Sequence, residues 1–192
     1  MPGDRAKHAL RQAVLARRAT IAAAQRAAAG AAITDLVLAL PELAPVRVVA
    51  AYWALASEVP TEPLLGALVA RGFDVRLPVL AGDGSLAWSR YAGADHLEPG
   101  PRGTSVPTGP RESILDADVV IAPGLAFDAA GRRLGRGGGS YDRVLAALPA
   151  TTVTIGLAYD EDVLDAVPVA AHDRPVAIVL TPTRVLRAPG SA

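Results

Sequence analysis

Between Gly124 and Arg143 the chain reads GLAFDAAGRRLGRGGGSYDR, which gathers glycines, arginines and carboxylates in the arrangement a polyphosphate requires. Gly135, Gly137, Gly138 and Gly139 open φ > 0 to the backbone, so successive N–H groups can turn inward and form a concave anion nest. Arg132, Arg133 and Arg136 add planar cationic forks suited to phosphate oxygens. Residues 141–148 read as a helix whose positive N-terminal end faces the same anion. Asp142 would repel a polyphosphate unless a hard cation lay between them, and Mg²⁺ takes such oxygen ligands together with phosphates and water. The competing reading is a flexible surface loop with solvated arginines and Ser140 as an ordinary helix N-cap. The apolar, strand-like lead-in at 119–122 favours the nucleotide reading.

Two familiar nucleotide motifs do not fit. A Walker A loop ends its glycines in Lys-Ser or Lys-Thr, whereas the chain's lysine is Lys7, far upstream. The dinucleotide fingerprint needs its glycines directly after the first strand of a βαβ unit, and Gly135 lies more than ten residues beyond Ala122. Lys7 and Arg11 stand four apart on a predicted helix and so project from one face towards one anion. By spacing alone a solvated helix face is the more ordinary reading, since Arg5, Arg17 and Arg18 lie nearby.

Taken whole, the segment resembles the signature of the 5-formyltetrahydrofolate cyclo-ligase (5,10-methenyltetrahydrofolate synthetase) family, in which PGLAFD, a short spacer and RLGxGxGxYD occur together. Residues 123–128 and 133–142 carry that pattern. Lys7 and Arg11 reproduce the family's K-x-x-x-R pair, SEVPTEPLL at 57–65 resembles its E-V-x-T segment, and Ala171-His172-Asp173 resembles its late H-D motif. The likeness runs from Lys7 to about Thr181.

The resemblance implies an enzyme that uses ATP and Mg²⁺ to convert 5-formyltetrahydrofolate into 5,10-methenyltetrahydrofolate, releasing ADP and phosphate. The γ-phosphoryl is moved onto the formyl oxygen, the anilino nitrogen attacks the activated carbon, the ring closes and phosphate departs. Such chemistry rests on positioning and charge stabilisation, with no side-chain nucleophile. By the same resemblance Lys7, Arg11, Arg133, Leu134, Gly135, Arg136, Gly137, Gly138, Gly139, Ser140 and Tyr141 would hold ATP. Arg136, Arg133 and Tyr141 would act on the transferred phosphoryl, and Asp142 and Asp173 would ligate magnesium. The folate would meet Trp53, Glu58 and the loop from Arg136 through Ser140. Glu58 suits a pterin because a carboxylate accepts a paired hydrogen bond from a ring N–H and amino group. Trp53 can stack on that ring or fill the core. His172 reads equally as a turn residue before Asp173, and His8 and His96 carry no ligand pattern.

Two departures from the pattern bear on activity. The family commonly has an aromatic at Ser140, for which Tyr91 or Tyr159 could substitute, and TGPRE at 108–112 stands in place of a Glu-Pro pair, with Glu112 as the candidate replacement acid. They keep open a folate- or nucleotide-binding protein that has lost turnover. Fold analogy alone leaves a third reading, an enzyme acting on a sugar phosphate or another anion.

The elements that must position these residues follow from pattern. The 192-residue chain is read as one domain able to bury roughly 70% of its unfolded surface. Its charge balances at 19 against 19, which argues against a nucleic-acid footprint or a polybasic membrane patch. The absence of cysteine rules out disulfides and thiolate metal sites and suits a cytoplasmic setting. No apolar span is long enough to predict a transmembrane helix, no secretory signal is read, and a monomer is expected. Helices are predicted over 4–29 and 33–40, with prolines 41 and 45 ending the second. Apolar runs at 46–53, 73–79, 119–122, 153–158 and 177–180 read as buried strands, 86–91 as a shorter one, 61–71 as a capped helix and 98–110 as a loop. Alternating strands and helices predict a three-layer αβα sandwich with a mostly parallel sheet and ligands at the strands' carboxyl ends. The resemblance implies the Rossmann-like, NagB/RpiA/CoA transferase-like variant of that architecture.

Overall fold

The strands that carry the candidate site are apolar on both faces, and that pattern fixes where they lie. The computed structural model describes residues 2–170 and 173–190, so Ala171 and His172 of the H-D motif fall outside the described residues. Helix α1 (Pro2–Ala19) is followed by α2 (Ala23–Leu38), with a bend of 106° between them. The expected continuous helix over 4–29 is therefore broken at residues 20–22. Thr20 turns its hydroxyl back onto the Arg17 carbonyl at 2.8 Å, and the Gln25 side chain accepts the Ala22 N–H at 3.1 Å to start α2.

Strand β1 (Val48–Ala50) leads through the helix α3 (Glu62–Ala70) to β2 (Asp74–Leu80), which turns back antiparallel into β3 (Leu86–Arg90). The expected loop over 98–110 instead contains a hairpin, β4 (Leu97–Pro99) with β5 (Ser105–Pro107), before the short β6 (Arg111–Glu112). Pro101 and Gly103 make its tight turn, which is why the composition reads as loop. Then come β7 (Val119–Ala122), β8 (Ala126–Asp128), β9 (Arg133–Leu134), the helix α4 (Ser140–Ala147), β10 (Val153–Leu157), β11 (Val163–Leu164), β12 (Ile178–Leu180) and β13 (Val185–Arg187).

Among the described residues the main sheet runs β13-β12-β10-β7-β1-β2-β3-β6. Its centre, from β12 to β2, is parallel, and its edges are antiparallel. One face presents Val49, Val75, Leu77, Ile121 and Ile155 to a core shared with Ile33 and Val37 of α2 and Leu64, Leu65 and Leu68 of α3. The opposite face presents Val48, Ala50 and Val120 to Val144 and Leu145 of α4. Period-two alternation with both faces covered gives the near-continuous apolar strands and the three αβα layers. A smaller sheet, β11-β8-β9, packs against α1 through Val14, Leu125 and Leu134.

Chain order reverses at β1, which pairs with β2 on one side and β7 on the other. The loops leaving β1 and β7 thus diverge and open a crevice at their carboxyl ends. Thr61 stands at the N-cap of α3, but its side chain does not cap the helix. Its hydroxyl donates to the Tyr52 carbonyl at 2.7 Å and accepts the Ala54 N–H at 3.0 Å, which pins the loop after β1.

Candidate functional site

The crevice between the β1 and β7 loops is a cavity of about 430 Å³. The nucleotide, folate and metal residues implied by the family resemblance line it, from Lys7 and Arg11 on α1 to Asp142 on α4 and Asp173. Arg132 and Glu112 do not. Arg132 lies 3.8 Å from Asp128 and is half exposed, which corrects its assignment as a phosphate fork. Glu112 sits in β6 opposite Trp88 at the sheet edge, so it does not replace the missing acid of the site.

Two of the four loop glycines take the left-handed backbone that composition predicts, and Gly135 and Gly138 do not. Gly137 at φ 104° and Gly139 at φ 65° hold conformations that side chains rarely adopt. Gly139 occupies the N-cap of α4 with no side chain capping the helix, leaving the first-turn N–H groups for an anion. Ser140 is accordingly the first helical residue and not the N-cap. Its hydroxyl donates to the Gly84 carbonyl at 2.7 Å, where Arg143 Nη2 also donates at 2.8 Å, and this ties α4 to the β2–β3 turn. Arg11 Nε donates to the Gly135 carbonyl at 2.8 Å and its guanidinium lies against Gly137. A second cavity, of about 410 Å³, shares Gly137, Gly138, Gly139 and Asp142 with the first and adds Arg143 and Arg174.

The charges are paired in a pattern that sequence spacing does not reveal. Arg133, buried, donates through Nη1 to the Pro123 carbonyl at 3.1 Å and through Nη2 to Asp142 Oδ1 at 2.7 Å. Lys7 Nζ donates to Asp173 Oδ2 at 2.5 Å, and the same oxygen accepts the Ala170 N–H at 2.7 Å. Glu58, almost fully buried, accepts from Arg136 Nε at 3.2 Å on Oε1 and from the Leu55 N–H at 2.9 Å on Oε2. Arg136 Nη2 also donates to Ser57 Oγ at 3.0 Å. Three cation–anion pairs, Lys7 with Asp173, Arg133 with Asp142 and Arg136 with Glu58, thus line the cavity.

The Tyr141 hydroxyl and Arg133 Nε are buried without a hydrogen-bond partner among the described residues. Burial, with a smaller contribution from Glu58, raises the Tyr141 pKa well above the usual phenol range, so the hydroxyl keeps its proton and is a donor. Buried polar atoms normally find partners, and an unpartnered donor on a cavity wall marks where a ligand oxygen fits. A polyphosphate therefore suits the wall formed by Arg11, Gly137, Gly139 and Tyr141. Among the described residues no group of three or more His, Cys, Asp or Glu side chains forms a metal cage. Asp142 and Asp173 do line the cavity, each with one oxygen on a cation, and Mg²⁺ is commonly held by one or two carboxylates plus phosphates and water.

Trp53 fills part of the core, the second of its two expected roles, and also reaches the cavity. It packs against the core beside Tyr91, ring centroids 6.2 Å apart, and lines the cavity with the remainder of its surface. Tyr91 and Tyr159 do not line the cavity, so neither supplies a ring in place of Ser140. Sequence reasoning missed the apolar wall from the β2–β3 hairpin, Pro78, Leu80 and Leu86, and the polar Thr104 and Ser105. An apolar residue on a strand carries no local signal that it faces a ligand and not the core. Asp128 of the PGLAFD run is structural, accepting the Ala130, Arg132 and Val167 N–H groups at 3.0 Å each.

Residues 4–182 match the 5-formyltetrahydrofolate cyclo-ligase family. The chain is 36% identical over 187 residues to the 5-formyltetrahydrofolate cyclo-ligase of Mycolicibacterium smegmatis, covering 94% of this chain and 95% of that protein. It is 31% identical over 175 residues to that of Escherichia coli, covering 88% and 96% respectively. The solved structure of Aquifex aeolicus 5,10-methenyltetrahydrofolate synthetase superposes with a TM-score of 0.84 at 30% identity, covering 95% of this chain and 93% of that one.

Proposed function

Because the chain belongs to the 5-formyltetrahydrofolate cyclo-ligase family, we propose that it converts 5-formyltetrahydrofolate into 5,10-methenyltetrahydrofolate at the expense of ATP, with Mg²⁺ as the metal. One observation carries this reading: cationic and glycine-loop groups suited to phosphate line the same cavity as Glu58 and Trp53, which suit a pterin. Bound ATP supplies the phosphoryl group that turns the formyl oxygen into a leaving group, and Mg²⁺ on Asp142 and Asp173 would offset the charge of its phosphates.

The chain's own residues do the rest by position and charge. Lys7 and Arg11 hold the nucleotide from α1, and the N–H groups of the loop from Leu134 and Gly135 through Gly138 and Ser140 cradle its phosphates. Arg133, held on the Pro123 carbonyl, orients Asp142. Tyr141 donates its unpartnered hydroxyl to an oxygen of the transferring group. Glu58 presents two carboxylate oxygens, of which Oε1 now takes Arg136. A pterin donor edge placed on Glu58 would displace Arg136, whose half-exposed side chain can then turn to the phosphoryl oxygens. Folate docking and charge stabilisation are thereby linked through one ion pair.

Where the family commonly has a ring, Ser140 instead donates its hydroxyl to the Gly84 carbonyl. Action as a monomeric single domain in the cytoplasm belongs to the same proposal. Among the described residues no single helix is long and apolar enough to cross a membrane. The test is the long-wavelength absorbance of methenyltetrahydrofolate on mixing protein with 5-formyltetrahydrofolate, ATP and Mg²⁺. A rise abolished by omitting ATP or adding EDTA is expected. Folate or ATP binding without any rise would instead support a binding protein.

A further inference from the structure

Arg18 lies near the C-terminal end of α1, is 1% exposed, and takes no part in lining the cavity. All three of its nitrogens donate. Nε donates to Asp162 Oδ2 at 2.7 Å, Nη1 to the Ser57 carbonyl at 3.3 Å, and Nη2 to the carbonyls of Gly124 at 3.0 Å and Leu125 at 2.9 Å. Asp162, itself fully buried, gives its other oxygen to Arg17. The Arg18 guanidinium also lies over the Tyr159 ring, 5.5 Å from its centroid, and the Tyr159 hydroxyl donates to the Glu58 carbonyl at 3.0 Å.

A buried ion pair is a poor device for stability, since apolar replacements of similar volume are often neutral or better. The distribution of Arg18's donors suggests a different role. Two of its nitrogens reach loops that leave different strands: Ser57, next to Glu58, follows β1, and Gly124, next to Pro123, follows β7. Gly124 lines the cavity, and Pro123 carries the carbonyl that holds Arg133. A planar fork with fixed angles can set the spacing of two such loops, which a flexible ammonium cannot. Tyr159 braces the same assembly from below Glu58.

We propose that Arg18, supported by Tyr159 and Asp162, is a positioning residue that clamps the β1 and β7 loops and so fixes Glu58 relative to Arg133 and Asp142. The proposal rests on the folate reading of Glu58 for its consequence in turnover, but not for the clamp itself. Small displacements of a binding group commonly change rate or affinity by up to about 100-fold.

Arg18→Lys keeps the charge beside Asp162 but cannot reach both loops at once. Hydrogen exchange should quicken at the Leu55, Glu58 and Leu125 amides while core strand amides such as Val120 and Ile155 stay protected. The KM for 5-formyltetrahydrofolate should rise roughly 10-fold, with a smaller fall in kcat. Tyr159→Phe removes one hydroxyl without opening a cavity and should raise the same KM by about 3-fold, on the scale of one neutral hydrogen bond; it decides the matter if Arg18→Lys does not fold. Unchanged exchange at the three amides, or unchanged KM in both variants, overturns the clamp. Absence of turnover by the wild-type protein overturns the folate reading instead, and exchange alone then decides the role of Arg18.

Discussion

Glu58 and Arg136 meet across 78 residues of sequence, Oε1 to Nε at 3.2 Å, although the carboxylate is 7% exposed and the guanidinium 42%. The carboxylate is buried and its cationic partner is half exposed. A fixed buried carboxylate with a displaceable partner is a receptor for another paired donor, and a pterin edge is such a donor. Glu58→Ala should therefore raise the KM for 5-formyltetrahydrofolate by roughly 10- to 100-fold, the scale of a charge-assisted hydrogen-bond pair. Undiminished folate binding by this variant in a direct titration would assign the acid to structure alone.

Arg136 should behave differently from its partner. If it turns to the phosphoryl group once folate is seated, Arg136→Ala lowers kcat by about 10³-fold and raises the folate KM less. Steady-state kinetics with folate and ATP varied separately measures both. A loss confined to KM would leave Arg136 as a gate on Glu58 without a part in the chemistry.

Asp142 shares its Oδ1 with Arg133 at 2.7 Å. Asp142→Asn keeps the shape but loses the charge that a hard cation needs, so the Mg²⁺ concentration for half-maximal rate should rise by about 10-fold or more. Titration of MgCl₂ at saturating ATP checks this, and an unaltered midpoint removes Asp142 from the ligand set.

Asp118 allows a prediction about stability that is independent of function. Its Oδ2 accepts the Val48 N–H at 2.8 Å and the Arg47 N–H at 2.9 Å, tying the entry of β1 to that of β7. Those two hydrogen bonds, Val48 first, hold its pKa below the usual carboxylate value. A depressed folded-state pKa contributes stability that is fully present above the unfolded value of about 3.9 and is lost as pH falls through the folded one. Asp118→Asn should cost about 1–2 kcal/mol in urea denaturation at neutral pH, and the gap to wild type should narrow below pH ~4. A gap constant over that interval would mean that the charge contributes nothing.

The residue types of the site were legible because their constraints are local. A glycine at φ 104° or 65° declares itself in the composition of a few neighbouring residues, as do a helix start and an apolar strand, so the turns at Gly137 and Gly139, the central strands and the layered architecture could be read directly, while Gly135 and Gly138 do not use the freedom that composition offers. Lys7 and Arg11 needed the family resemblance, since a solvated helix face has the same spacing. The break after Ala19, the β4–β5 hairpin and the place of Glu112 were misread because tertiary contacts and turn geometry overrode composition.

Sequence alone thus determined the chemistry available: cations, carboxylates and a glycine nest able to handle a polyphosphate. Only the tertiary structure decided who meets whom. Glu58 with Arg136, Lys7 with Asp173 and Arg18 with two loops are pairings across 39 to 166 residues. Coulombic and hydrogen-bond energies depend on distance in space, which spacing along the chain does not encode; the reversal of strand order at β1 opens the cavity that the first two pairs line, while Arg18 lies outside its lining.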